Sequence, residues 1–220
     1  MIEGPYMVRF LFETVSDTLV DDVITICTAH GLYDKERNEG DQKASMPDEI
    51  RKNKRGFIRL HYEDLSFKLS FDLESGGGHS WTEGSFNIST QSQVVNYTDK
   101  DDPKYRRFIE ELVGLVSELA SATRPTHVHA FGTQSSTNEF ARGVIPQELP
   151  VAHDISNLPW LGVYNPETVD ALGGIDRFTD APAHRVERLE TGHVMVVATE
   201  DPFAVPDREL EEYLLQNENR

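Results

Sequence analysis

Leu65-Ser66-Phe67-Lys68-Leu69-Ser70-Phe71-Asp72-Leu73 is the stretch that decides the fold of this chain. Every odd position is Leu or Phe, and the positions between are Ser, Lys, Ser and Asp. Strand side chains alternate between two faces, so this run predicts a strand with one buried face and one wet face. A sheet with a wet face favours antiparallel pairing. The neighbouring segments repeat the pattern. Gly56–Asp64 directs Ile58, Leu60 and Tyr62 one way, and Gly84–Val95 resumes alternation through Phe86, Ile88 and Thr90. Met7–Thr14 sets Val8, Phe10 and Phe12 on one face. The Gly-rich stretch Glu74–Glu83, with Gly76-Gly77-Gly78, reads as a loop.

The remaining elements are helices and short strands. Ser16 or Asp17 caps a helix running to about His30, with Leu19, Val20, Val23, Ile24 and Cys27 as its apolar stripe and Gly31 as its stop. Residues 34–55 are polar and predict an exposed loop that is partly disordered. The basic cluster Arg51-Lys52-Asn53-Lys54-Arg55 reads as part of that solvated loop. Pro103 opens a long helix to about Ala122, whose residues Tyr105, Phe108, Ile109, Leu112, Val113, Val116 and Leu119 recur at helical spacing. Thr126–Phe131 reads as a strand, and Pro159–Tyr164 as a short apolar segment. Pro166–Leu172 is a brief helix ended by Gly173-Gly174, Arg185–Leu189 and His193–Thr199 flank a Thr191-Gly192 hairpin turn, and Pro206 starts a closing helix. The expected fold class is α+β: an antiparallel sheet with one face covered by helices, plus a C-terminal hairpin and helix. The expected organisation is a sheet-and-helix unit over 1–132, a connecting loop over 133–157, and a C-terminal α+β extension over 158–220 packed on the same domain.

Charge bounds the function. The 220 residues carry 38 Asp+Glu against 21 Lys+Arg, a formal net charge of -17, with 14 Arg to 7 Lys and only 38% apolar residues. Dense carboxylate holds hydrated cations, and its self-repulsion is screened within about 3 Å at 1 M salt. The composition therefore predicts the cytoplasm of a salt-in, archaeal-type halophile. The acidic balance argues against nucleic acid, which a binder meets with a basic stripe. No apolar run reaches the roughly 18 residues of a membrane span, and MIEGPYMVRF lacks the pattern of a signal peptide. The single Cys27 excludes a disulfide framework within the chain and reads as a buried structural thiol.

Few residues point to chemistry. His127-Val128-His129 sets two imidazoles on one strand face, where they could supply two metal positions; His61 and Asp154 are scattered candidates for a third. The competing reading of His127 and His129 is a plain wet face. Gly76-Gly77-Gly78-His79-Ser80-Trp81 is neither a P-loop nor a nucleophile elbow. With His79 it could present Trp81 as an interface anchor, or Trp81 could fold back on the sheet. No Ser/His/Asp set has local context, and no Gly-x-Gly-x-x-Gly follows a strand, so neither a catalytic residue nor a cofactor is expected.

The C-terminal segment carries a resemblance. It reads Trp160-Leu161-Gly162-Val163-Tyr164, Pro166-Glu167-Thr168-Val169, Leu172-Gly173-Gly174, Ala181-Pro182-Ala183-His184-Arg185-Val186 and Leu189-Glu190-Thr191-Gly192-His193-Val194-Met195-Val196-Val197. In that order it resembles the C-terminal part of small immunity proteins of polymorphic toxin systems. The helix-then-strand unit from Pro103 to Phe131 is similar in layout, and the resemblance covers half the chain. It implies a non-enzymatic cytoplasmic protein that binds and blocks a toxin-like partner. The matched positions are turns and hairpin residues, so no functional residue carries over. Trp81, His79, Trp160 and the 133–157 loop are the candidate contacts. The alternatives are a metal-dependent enzyme using His127 and His129, and a self-associating structural or viral assembly protein.

Overall fold

The computed structural model describes residues 6–63, 65–74, 82–90, 103–132, 159–200, 202 and 208–215. The alternating segments form strands β1 (Tyr6–Phe12), β2 (Arg55–Tyr62), β3 (Leu65–Asp72), β4 (Gly84–Thr90), β5 (His127–Gly132), β6 (Leu161–Tyr164), β7 (Arg185–Arg188) and β8 (Val194–Val197). They make one eight-stranded sheet in the order β2-β3-β4-β1-β5-β6-β8-β7. Every pairing in it is antiparallel. The helices are α1 (Leu19–Ala29), α2 (Lys35–Gly40), α3 (Pro47–Asn53), α4 (Pro103–Thr123), α5 (Pro166–Ala171), α6 (Ile175–Thr179) and α7 (Arg208–Leu215). The fold is α+β, as the alternation of 65–73 predicts.

One face of the sheet is apolar from β2 to β8. Ile58, Leu60, Phe67, Leu69, Phe71, Phe86, Ile88, Val8, Phe10, Phe12, Val128, Leu161, Val163, Met195 and Val197 lie on it, beneath Leu19, Val20, Val23 and Cys27 of α1, Ile50 of α3 and the stripe of α4. Burying a Leu, Phe or Val side chain contributes about 1.5–3 kcal/mol, so this layer dominates the stability. Phe10 and Phe86, neighbours across β1 and β4, stack with centroids 4.3 Å apart. The opposite face is divided. Over β6, β8 and β7 it is covered by α5, α6 and α7, whose Val169, Phe178, Leu210 and Leu214 pack with Tyr164, Val194 and Val196. β6 and β8 are therefore buried on both faces. Over β2, β3, β4, β1 and β5 the same face carries mostly polar side chains, with Phe57, Met7 and the buried Leu11 between them.

Gly162 sits where that second core begins. A Cβ there would lie 2.8 Å from the Tyr164 hydroxyl and 2.9 Å from its ring, because the Tyr164 side chain, two residues on and on the same face, folds back over Gly162.

Residues 34–55 differ from the expected loop. They contain α2 and α3 and pack against the outer edge of β2. Asp34 caps α2 through the Arg37 N–H, and Pro47 occupies the first turn of α3. The basic cluster is the end of α3 with the αL residue Lys54 beyond it. Its Arg51 bonds both Asp48 and Asp21, tying α3 to α1.

Candidate functional site

The strand register builds a polar face out of residues far apart in the chain. Phe57, Ser70, Asn87, Arg9, His129 and Gly162 stand opposite one another in one row, which continues through Val196 to Val186. A second row runs Arg59, Lys68, Ser89, Met7 and Phe131. A third runs Asp72, Ser85, Leu11, His127 and Tyr164. The strand residues of this face thus supply Arg9, Arg55, Arg59 and Lys68 against a single carboxylate, Asp72, which stands opposite Arg55. On a chain with net charge -17 this is a local reversal of sign.

The cations are held by specific neighbours. The Lys68 ammonium sits 4.5 Å from the centre of the Phe57 ring, and the Arg59 guanidinium lies 5.8 Å from it on the next row. Arg59 also bonds Asp41. The hydrogen bond from Arg59 is the main cause that holds the Asp41 carboxyl below its ordinary pKa. Burial lowers the Arg9 pKa, and the charge of Asp72 opposes that shift. His61, beside Ser66 at the end of β2, is also lowered, by burial first and then by the charge of Arg37.

His127 and His129 are brought together as the strand period requires, with ring centroids 5.6 Å apart. They are not equivalent. His127 is half-buried and meets the Tyr164 ring edge-on at 5.6 Å, whereas His129 is only 6% exposed, so the pair is not an open wet surface. Among the described residues no group of three His, Cys, Asp or Glu side chains is placed to hold a metal ion. His61, on the edge strand β2, is separated from β5 by β3, β4 and β1.

Trp160 belongs to the main core. It is 2% exposed, and its indole N–H donates to the Thr199 carbonyl at 2.8 Å. A partner has no access to it in this fold. His79 and Trp81, the 133–157 loop and Asp154 lie outside the described residues. Sequence reasoning marked Lys68 and Asp72 as wet-face positions but missed Arg9 and Arg59, whose place beside them depends on strand register. Cys27 is buried, and burial pushes its thiol up to about 12, which leaves it unreactive. No described helix is long and apolar enough to cross a membrane.

No protein-family model matches the chain, and no curated protein matches it. Among solved structures, it is similar to the Pseudomonas aeruginosa T6SS protein PA0821, with a TM-score of 0.56 and 12% sequence identity over 97% of this chain and 73% of that chain. At this identity the likeness shows the fold alone.

Proposed function

We propose that this chain is a non-enzymatic protein-binding module of the immunity type, which docks on a toxin-like partner in the salt-rich cytoplasm of a halophile. The reading rests on the resemblance of 158–202 to immunity proteins, and the likeness to the T6SS protein PA0821 adds a shared fold over nearly the whole chain. The sheet supports the reading physically. Its polar face sits on a rigid five-strand platform, and rigid placement of contact groups is what a binding surface requires. Trp81 and His79, between β3 and β4 in the chain, are the proposed contacts, because Trp is a residue type that dominates interface energies.

The test is a pull-down of tagged chain from native lysate in roughly 2–3 M KCl, chosen so that surface charge is screened, followed by mass spectrometry. Recovery of one stoichiometric partner that inactivates a cell or an enzyme when freed of this chain supports the proposal. Failure to recover any stoichiometric protein sinks it.

A further inference from the structure

The two edges of the sheet are finished differently. Along β2 the outward backbone groups are bonded: Phe57 by Ser45, Arg59 by Asn38, and the His61 N–H by Leu32. The other edge is β7, four residues reading Arg185-Val186-Glu187-Arg188. The Leu189 N–H donates to the His193 carbonyl. Because antiparallel strands alternate, the backbones of Leu189, Glu187 and Arg185 turn toward β8, and those of Val186 and Arg188 turn outward. No described residue bonds them there. The Arg185 and Glu187 side chains stand on the α4 side of the edge, where Glu187 accepts from the Ser117 hydroxyl at 3.1 Å and from the Arg185 guanidinium of its own strand. The side chains flanking Ser117 on that helix face, Gly114 and Ser121, are small, and a methyl group at Gly114 would meet nothing within 4 Å. Among the described residues nothing covers that side of the edge.

We propose that β7 pairs with β7 of a second copy of this chain about a two-fold axis through Val186, joining two eight-stranded sheets into one. In that register Val186 exchanges backbone hydrogen bonds with its own counterpart. Arg185 then stands opposite the counterpart of Glu187, twice, in the non-hydrogen-bonded position where facing side chains are closest. The ion pair of Arg185 with Glu187 of its own strand is exchanged for, or shared with, the counterpart across the axis. Moving the axis to Glu187 would set that carboxylate against itself, which is destabilising, so the charges select the register. The interface is isologous and closed, and it covers an edge that would otherwise be a template for open-ended pairing. Self-repulsion at net charge -17 opposes association in dilute buffer, and molar salt screens it. The pairing does not depend on the toxin reading.

Sedimentation velocity in roughly 2–3 M KCl tests it, over a wide range of protein concentration. The expected mass rises with concentration from the 24.9 kDa of one chain toward twice that value. Val186→Pro removes an N–H that the fold does not use, which an edge strand tolerates, and weakens association by about tenfold or more with the far-UV spectrum unchanged. Arg185→Glu weakens it similarly, and the swap Arg185→Glu with Glu187→Arg restores it. A wild-type chain that stays at single-chain mass throughout overturns the proposal. So does a Val186→Pro chain that associates as the wild type does, or a swap that fails to recover what Arg185→Glu lost.

Discussion

Asn38 and Arg59 exchange two hydrogen bonds as if Asn38 were the next strand. The Asn38 side-chain amide donates to the Arg59 carbonyl at 3.0 Å, and the Arg59 N–H donates to the Asn38 Oδ1 at 2.8 Å. The second amide hydrogen goes to the Asp34 carbonyl at 2.8 Å, and Asn38 is 1% exposed. One side chain thereby closes the middle of the β2 edge. Asn38→Ala leaves the Arg59 N–H and C=O without these partners, at about 1–3 kcal/mol for a buried unsatisfied group. The expected loss is about 2–3 kcal/mol in urea unfolding at fixed KCl. Asn38→Asp keeps the acceptor but not the donor and falls between the two. An Asn38→Ala chain as stable as the wild type refutes the edge-closing role.

How much of this could be read from residues alone follows from the range of the interactions. The strand of 65–73 and the helix α4 were legible because their periods are local and their apolar faces are long. The hairpin around Thr191-Gly192 was legible because Gly192 adopts a φ of 83°, which its residue type favours. α2 was not, because its six residues, Lys35–Gly40, bury only the polar Asn38 and so show no apolar stripe. The polar face was half legible. Alternation marks Lys68 as wet, but Arg9 meets Asn87 and His129 only through pairings across the sheet, and no local pattern encodes that register.

Gly162→Ala places a methyl group against the ring and hydroxyl of Tyr164. That ring is 2% exposed and held by Phe178 at 5.4 Å and His127 at 5.6 Å between centroids, so it cannot swing aside. Overpacking of this kind costs about 1–3 kcal/mol. Pairing with Tyr164→Phe is the control. If the clash is with the hydroxyl, the double variant recovers part of the loss in thermal unfolding. Equal losses in the two backgrounds would assign the strain elsewhere.

The two tryptophans separate stability from binding. Trp160→Phe removes the N–H that donates to Thr199 and leaves a small void in the core. The expected cost is about 1–2 kcal/mol of stability with partner affinity unchanged. Trp81→Ala is expected to do the reverse, leaving the unfolding midpoint in place and weakening partner binding by about thirtyfold, the size of an interface hot spot. Titration calorimetry with the partner recovered by pull-down, beside urea unfolding, reads both. A Trp81→Ala chain that binds normally removes Trp81 from the interface.

His193 links the hairpin to the start of β5, and its protonation state sets a pH window. Its Nε2 lies 2.9 Å from the Pro125 carbonyl and its Nδ1 2.9 Å from the Thr191 hydroxyl. A carbonyl only accepts, so Nε2 carries the proton and Nδ1 accepts from Thr191 in the neutral ring. Burial is the main cause lowering its pKa from the ordinary 6.5, against the raising effect of hydrogen bonding to the Pro125 and Thr191 backbones. The unfolded chain therefore binds more protons than the folded one just below 6.5. Its contribution is complete above that value and is lost as pH falls through it, with a slope of at most about 1.4 kcal/mol per pH unit. His61 is lowered too and adds to the same slope, while the shift of Asp41, from an ordinary value of 3.8, acts only at lower pH. Urea unfolding between pH 5 and pH 7.5, at constant KCl, is thus expected to show stability rising with pH. His193→Gln, which cannot titrate, lowers the whole curve and flattens it over the acid half. A variant curve parallel to the wild type would place the titrating group elsewhere.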